Sequence, residues 1–113
     1  MKLFETDTIF AFMDIGPIAK GHCLVIPKYH ATKLTDLPDD QMGDILPACK
    51  KLAAATGEEN YNILQVVDHI HFHVIPKPAS GADKEGLDIG WPIQNDLSKD
   101  GIARSFEEMK SKL

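Results

Sequence analysis

Three histidines alternate with apolar residues over one short stretch of the chain. They are His69, His71 and His73, and apolar side chains occupy the positions between and after them. In a β-strand alternate side chains share a face, so this spacing predicts three imidazoles in a row, about 6.5–7 Å apart. A helix would not place positions i, i+2 and i+4 on one face. The pattern therefore predicts a strand that anchors one apolar face and exposes groups that titrate near neutral pH.

Two kinds of chemistry suit such a row of imidazoles. A neutral imidazole attacks phosphorus readily, and flanking histidines can orient it and donate hydrogen bonds to phosphate oxygens. Histidines on a strand also bind zinc, with His22, His30 or an acidic group as a further ligand. However, three successive ligands on a straight strand lie along a line, whereas a tetrahedral ion needs ligands that converge. The sequence therefore favours nucleophilic catalysis, and no metal or other cofactor is expected.

The composition is typical of one globular domain. The chain has 113 residues, of which 43% are hydrophobic and 26% charged, and this length can bury a substantial core. The formal net charge of −5 argues against binding to nucleic acid. No apolar run approaches the roughly 20 residues that span a membrane, and the start has no signal-peptide core. Cys23 and Cys49 are isolated, as in a reducing compartment, so we expect the cytoplasm, with the nucleus as a further location.

Hydrophobic periodicity and turn residues predict the elements. Strands are predicted over residues 2–6, 9–13 and 21–26, an amphipathic helix over 38–56, and a closing helix over 98–113. The middle helix should bend at Pro47 and end at Gly57, and Ser98 or Asp100 should cap the last one. Asp14 and His30 each follow the end of a predicted strand, where side chains on a rigid frame often carry function. For Asp14, a role as a turn residue is an equal alternative.

The chain between residues 60 and 75 presents a difficulty for this prediction. It contains enough residues for two strands, yet no Gly, Pro or Asn separates Tyr61–Gln65 from the histidine row. A reversal normally needs such residues, and valine is poor where φ must be positive. The sequence therefore predicts that about eight to ten further residues belong between these strands, with a true deletion as the alternative.

The motifs together resemble a known family. The histidine stretch has the form His-φ-His-φ-His-φ-φ, where φ is apolar, and it is similar to the signature of the histidine triad proteins. The resemblance extends in order over residues 4–77 and is strongest at three segments. These are 12–17 (FMDIGP), 21–30 (GHCLVIPKYH) and 61–65 (YNILQ). The segment from Val67 and the later Gly90-Trp91-Pro92 look most like the small Hint-type members of lower eukaryotes.

The resemblance implies a fold and a reaction. The implied fold is a single α+β domain over residues 1–113, with an antiparallel sheet of about five strands, one long kinked helix across it and a C-terminal helix. The implied reaction is hydrolysis of purine nucleoside phosphoramidates through a nucleotidyl-histidine intermediate on His71. By the same resemblance His73 contacts the phosphate, His69 orients the nucleophile, and His30 completes the site. A homodimer with a continuous sheet is also implied.

The nucleotide would bind beside these histidines. The resemblance assigns the ribose hydroxyls to Asp14 and the base to a pocket of apolar residues, and it includes His22 as a further contact. In the family a loop that contains Gly, Asn and Gln lies near the phosphate before the triad strand. This chain lacks the loop, unless Gln65 replaces its glutamine. The residues expected to bind nucleotide are Asp14, Ile15, Phe12, Phe10, His22 and Gln65.

Two other functions fit the same residues. A second branch of the family cleaves dinucleoside polyphosphates with the same triad. A protein of a different class would bind nucleotide, or another protein, without catalysis. Turnover of adenosine phosphoramidate compared with diadenosine polyphosphate separates the two enzymes, and nucleotide binding without turnover identifies the third function.

Overall fold

The chain folds into one antiparallel sheet with a helix across it. The computed structural model describes residues 1–66, 69–78 and 98–113, together with 87, 90, 92 and 93. The sheet has five strands in the order β1-β2-β3-β5-β4, which confirms the α+β prediction. The strands are β1 Lys2–Glu5, β2 Ile9–Met13, β3 Cys23–Pro27, β4 Tyr61–Val66 and β5 His71–Pro76, and the helices are α1 Ile45–Thr56 and α2 Lys99–Lys112. Most of the loop predicted over 77–97 lies outside the described residues.

Side-chain alternation divides the sheet into two faces. On one face, side chains from β2, β3 and β5 are buried against the apolar side of α1. This core contains Ile9, Ala11, Cys23, Val25, Phe72 and Val74 from the strands and Ile45, Ala48, Cys49, Leu52 and Ala53 from the helix. The opposite face, which we call the histidine face, carries the side chains at the alternate positions of the same strands, including His71 and His73.

The helix α1 begins later than the sequence predicts. Pro38 precedes only a short 3-10 turn, Asp39–Gln41, and a similar turn covers Leu34–Asp36. Pro47 is the third residue of α1, where its missing N–H has no intrahelical partner to lose. The proline therefore lies in the first turn and does not interrupt the ladder of hydrogen bonds, so the predicted kink is not needed. Gly57 ends the helix with φ of 78°, as predicted.

Two threonine hydroxyls connect the first hairpin to the start of α1. Thr6 and Thr8 donate to the same carboxylate oxygen of Asp44, over 2.6 and 2.8 Å. These hydrogen bonds hold the pKa of Asp44 below its usual value, because they stabilise the ionised carboxylate. The hairpin between β1 and β2 thereby fixes where the helix begins over the sheet.

The strands β4 and β5 form a hairpin with a short connection. Val66 pairs with His71, so the chain reverses between these two residues, and the eight to ten further residues expected here stay a prediction. The predicted row of three histidines on one strand is therefore wrong at its first member. His69 lies in the turn with a positive φ of 100°, while the next residue, Ile70, is buried and donates its N–H to the carbonyl of Ala31 over 3.1 Å.

The backbone of His69 should tolerate glycine better than alanine. A β-carbon is strained at positive φ, whereas glycine adopts this conformation freely. We expect His69→Gly to be more stable than His69→Ala by about 1 kcal/mol, measured by urea unfolding with equal m-values. Both variants lose the imidazole, so their difference isolates the backbone. Equal stability of the two variants would show that this backbone conformation is not strained.

The C-terminal helix α2 is capped as one of the two candidates predicts. The side chain of Ser98 accepts a hydrogen bond from the N–H of Gly101 over 3.0 Å, so Ser98, and not Asp100, is the cap. The apolar stripe of the helix remains exposed, and α2 has no buried residue. The stripe consists of Ile102, Phe106, Met109 and Leu113.

Candidate active site

His71 and His73 lie side by side on the histidine face. Their ring centroids are 4.9 Å apart, and both side chains are half-buried. His73 is in the middle of the sheet, paired with Leu24 of β3 and Leu64 of β4. The two imidazoles are therefore held on a rigid strand with neighbours on both sides.

The backbone fixes the protonation of His71. Its Nδ1 is 2.7 Å from the carbonyl oxygen of His69. A carbonyl oxygen can only accept a hydrogen bond, so the proton of neutral His71 is on Nδ1. The lone pair of Nε2 is then available, and this is the atom that a nucleophilic imidazole must present. His69 thus orients His71 through its backbone, whereas the sequence predicted an orienting role without distinguishing backbone from side chain.

His22 lies directly behind His73. Its Nε2 is 2.8 Å from Nδ1 of His73 and 3.4 Å from a carboxylate oxygen of Asp14. The side chain is only 4% exposed. The preceding residue, Gly21, has φ of 89°, and a β-carbon there would lie 3.3 Å from the side chain of Thr56. Glycine is therefore required at this turn, which directs the next side chain onto the histidine face.

His30 and His69 form a separate pair. Their rings meet edge to face with centroids 5.4 Å apart, and both side chains are exposed. The hydrogen bond to His73 comes from His22, which was predicted from the sequence as a nucleotide contact and as an alternative metal ligand, but not as a partner of His73. This contact could have been predicted from strand alternation. His22 is two residues before Leu24 and shares its face, and Leu24 pairs with His73.

Asp14 has one oxygen in a turn and the other directed at the histidines. Oδ1 accepts the N–H of Gly16 over 2.7 Å, a local turn of the kind that aspartate favours. Oδ2 is 3.4 Å from His22 and 4.0 Å from Nδ1 of His73. Asp14 is therefore a turn residue whose second carboxylate oxygen lies beside His22 and His73, and its role in binding stays a prediction.

Aromatic side chains extend the histidine face along β2. Phe10 and Phe12 have ring centroids 5.7 Å apart, and Phe12 pairs with Leu24 across the sheet. The ammonium of Lys28 lies 4.9 Å above the Phe10 ring. Ile15 follows Asp14 and is 89% exposed. Phe10 and Phe12 thus form an apolar surface beside Asp14, and Ile15 is free to contact a ligand there.

Gln65 lies away from this group. It pairs with Phe72 of β5, so its side chain is on the core face and not beside His71 and His73. Its amide nitrogen is buried without a hydrogen-bond partner. The structure therefore does not bring Gln65 together with the other residues predicted to bind nucleotide.

His73 is held in its neutral form. Burial lowers the pKa of His73 below its usual value, the nearby rings of His22 and His71 lower it further, and the carboxylate of Asp14 acts in the opposite direction. Desolvation and neighbouring imidazoles both disfavour the charged imidazolium. At neutral pH this histidine can donate from one ring nitrogen and accept at the other.

Three of these residues have the donor types of a metal site. One ligand atom each from Asp14, His22 and His73 lies within 4.8 Å of the others. However, Nδ1 of His22 accepts the backbone N–H of Ile18 over 3.2 Å, so the proton of His22 is on Nε2. A histidine that binds metal through Nε2 carries its proton on Nδ1 and donates it to an acceptor. The Ile18 N–H is a donor, whereas a metal-binding His22 would need an acceptor at Nδ1. The three residues are therefore better described as a hydrogen-bond network.

A cavity lies on the other face of the sheet. It has a volume of about 580 Å³ and is lined by β1, the ends of β2 and β3, and the C-terminal half of α1. Met13 and Cys23 line it, and these alternate with Asp14 and His22 along the chain. The cavity therefore lies on the opposite side of the sheet from the histidine face, and no histidine of that face lines it.

This fold and this pair of histidines define a class of phosphorus-transferring α+β proteins. A family model described as the HIT domain matches residues 1–80. The chain belongs to this family, and the resemblance inferred from its motifs is confirmed.

Relatives that are named for an enzymatic activity match nearly the whole chain. It is 47% identical to adenosine 5'-monophosphoramidase hnt1 of Schizosaccharomyces pombe, over 100% of this chain and 88% of that protein. It is 44% identical to adenosine 5'-monophosphoramidase HNT1 of Saccharomyces cerevisiae, over 99% of this chain and 73% of that protein. The crystal structure of a histidine triad nucleotide-binding protein from Candida albicans superposes with a TM-score of 0.85 at 40% identity, covering 98% of this chain and 86% of that one.

The aligned part of the Schizosaccharomyces pombe relative is longer than this chain. The alignment extends over 121 positions, whereas the chain has 113 residues. At least eight positions of that relative, the difference between these lengths, therefore have no counterpart here.

Proposed function

We propose that this protein hydrolyses purine nucleoside phosphoramidates to the nucleoside monophosphate and an amine. One observation carries the proposal. The Nδ1–H of His71 is held by the His69 carbonyl, which leaves Nε2 free to attack, next to a neutral second imidazole on the same strand. The activity for which the two yeast relatives are named, adenosine 5'-monophosphoramidase, supports the same reaction.

The reaction would take two displacements at phosphorus. In the first, the Nε2 lone pair of His71 forms a bond to the α-phosphorus, and the bond from phosphorus to the substrate nitrogen breaks. The amine leaves with a proton taken from water. The His71 ring becomes positively charged, and its Nδ1–H still donates to the His69 carbonyl, which stabilises that charge. In the second, water attacks phosphorus and loses a proton to the hydroxide left by the first step, the bond to His71 breaks, and the neutral imidazole is restored.

The other residues of the histidine face would bind the nucleotide. Phe12, Phe10 and Ile15 offer apolar surface for the base, and Asp14 can accept from the ribose hydroxyls through the oxygen that faces the histidines. His73 would donate to a phosphate oxygen as negative charge develops. We assign no contact to Gln65, and none to the exposed rings of His30 and His69.

A turnover assay tests this function. Adenosine phosphoramidate and a diadenosine polyphosphate are offered to the protein separately, and release of AMP is followed. We expect kcat/KM to be higher for the phosphoramidate. A preference for the diadenosine polyphosphate would assign the chain to the other hydrolytic branch. Nucleotide binding without release of AMP from either substrate would reject both enzymes.

Asp14 should distinguish ribose from dideoxyribose. We expect Asp14→Asn to raise KM for adenosine phosphoramidate by about 10- to 100-fold, since a hydrogen bond to a charged group contributes about 1.5–3 kcal/mol. The matched control is the 2′,3′-dideoxy substrate, for which the same substitution should change KM little. This cycle isolates the contact from any effect of Asp14 on His22. An equal change for both substrates would contradict the ribose assignment.

We further propose that the protein is a homodimer paired through β4. This strand is at an edge of the sheet, and an exposed edge invites pairing with another chain. Exposed apolar side chains surround it: Leu46 of α1 is 64% exposed and Ile63 of β4 41%, and with Tyr61 they line a cavity of about 460 Å³. A second copy would cover this patch across a two-fold axis.

Sedimentation at micromolar concentration tests the dimer. We expect one species of twice the chain mass, and Ile63→Lys should convert it to monomer. Leu34→Lys is the matched control, because Leu34 has the same 41% exposure in a 3-10 turn away from β4. Monomer alone in the unmodified protein would contradict the assignment.

We also propose a cytoplasmic location. Both cysteines are buried and free, and burial raises the pKa of the Cys49 thiol to about 11, as for inert thiols in a reducing compartment. No helix among the described residues is long and apolar enough to cross a membrane. Recovery in the cytosolic fraction is expected, and recovery in the secreted fraction would contradict it.

A further inference from the structure

The N–H of Ile18 begins a chain of hydrogen bonds that ends at His73. The Ile18 N–H donates to Nδ1 of His22 over 3.2 Å, and Nε2 of His22 is 2.8 Å from Nδ1 of His73. A backbone amide can only donate, so Nδ1 of His22 has no proton and Nε2 carries it. That proton is directed at His73, and the carboxylate of Asp14, 3.4 Å away, favours a proton on the same nitrogen.

The same logic determines the protonation of His73. Its Nδ1 faces an N–H and therefore accepts, so the proton of neutral His73 is on Nε2. His71 has the opposite arrangement, with its proton on Nδ1 because that nitrogen faces the His69 carbonyl. Two adjacent imidazoles are thus held as different tautomers. One presents a lone pair and the other presents an N–H.

We propose that His22 is a positioning residue that fixes the tautomer and the ring orientation of His73, so that Nε2–H of His73 faces the substrate phosphate. The proposal rests on the proposed function. It assigns His22 a contact with His73, and not with the nucleotide. The geometry supports it, since His22 is 4% exposed and both of its ring nitrogens already have partners in the protein.

The difference in tautomer between His71 and His73 matters for phosphoryl transfer. If His73 carried its proton on Nδ1, its Nε2 lone pair would face the phosphate oxygens and repel the charge that develops there. If His73 rotated away, the donor would be lost. A hydrogen bond that begins at the main chain prevents both, because the position of the Ile18 amide is set by the loop between β2 and β3.

Two substitutions at His22 separate positioning from packing. His22→Phe keeps a ring of similar size but neither accepts from Ile18 nor donates to His73. The side-chain amide in His22→Gln can do both. We expect kcat for adenosine phosphoramidate to fall about 10- to 100-fold in His22→Phe, with a smaller change in KM. We expect His22→Gln to recover most of the loss. Equal loss in both variants, or unchanged kcat in His22→Phe, would overturn the proposal.

A spectroscopic measurement tests the proposal without activity. Long-range ¹H–¹⁵N spectra of the ¹⁵N-labelled protein distinguish protonated from unprotonated ring nitrogens. In the unmodified protein at pH 7.5 we expect His73 protonated on Nε2 and His71 on Nδ1. His22→Phe should give His73 a mixture of tautomers. A His73 protonated on Nδ1 in the unmodified protein would overturn the proposal, even if His22→Phe fails to fold. If the spectra are as expected but no phosphoramidate is cleaved, the proposed function fails and the positioning of His73 stands.

Discussion

Replacing His71 with alanine should reduce turnover of adenosine phosphoramidate by about 10⁴-fold, the scale seen when a nucleophile is removed from an enzyme. The loss falls on the covalent step, because no other imidazole of the histidine face is placed in the same way. Nε2 of His73 carries a proton, and His22 is buried behind it. Binding of AMP should remain within a few fold, since the proposed nucleotide contacts are made by residues other than His71, on β2, at Asp14 and Ile15, and at His73. Turnover and calorimetric binding, measured on the same samples, give both quantities.

Two further measurements separate a lost nucleophile from a damaged fold. Added imidazole should partly restore cleavage in His71→Ala, because it can occupy the space and attack phosphorus in place of the side chain. Acid quenching of the unmodified protein during turnover should trap nucleotide on the protein, and His71→Ala should trap none. If His71→Ala kept more than about a tenth of its activity, the two-step mechanism would be wrong.

Strand alternation explains why most of this site could be predicted from the sequence. Phe12, His71 and His73 occupy alternate positions of regular strands, and β2 is found at the predicted residues, 9–13. A strand fixes which side chains share a face, so a local pattern is enough to bring distant residues together. The predicted end of α1 at Gly57 was correct for a similar reason, because a left-handed residue after a helix is a local requirement.

Features that depend on backbone position escaped the prediction. The protons on His71 and His73 are set by a carbonyl and an amide, and no side-chain pattern reports where turns place these groups. Gln65 was assigned by its resemblance to a loop residue, but pairing with Phe72 turns it to the core face. His69 was expected to be in the strand because it continues the alternation of His71 and His73 with apolar residues, but it has a positive φ of 100°. The buried Ile70 that follows it holds the chain in this conformation.

The short connection between β4 and β5 should limit the rate of this protein. The resemblance to the histidine triad family implies a loop at this position with an Asn and a Gln close to the phosphate, whereas only four residues of this chain separate Val66 from its partner His71. Of the described residues, only His73 is assigned as a donor to the phosphate in the proposed reaction. Each missing donor of this kind costs about 10²- to 10³-fold in rate when charge develops in the transition state. We therefore expect kcat/KM to be lower than that of the Schizosaccharomyces pombe relative by at least this factor.

Inserting an eight-residue segment between Val66 and Val67, directly after the end of β4, tests the cause. A segment that contains an Asn and a Gln, as the family resemblance implies, should raise kcat/KM about 10²-fold because it supplies hydrogen-bond donors to the phosphate. A Gly-Ser segment of the same length is the control, since it lengthens the loop without those side chains and should give a much smaller gain. An equal gain from both segments would assign the effect to loop length. No gain from either, with β4 and β5 still paired, would mean that the short hairpin already provides a complete phosphate site, and the expected deficit would be wrong.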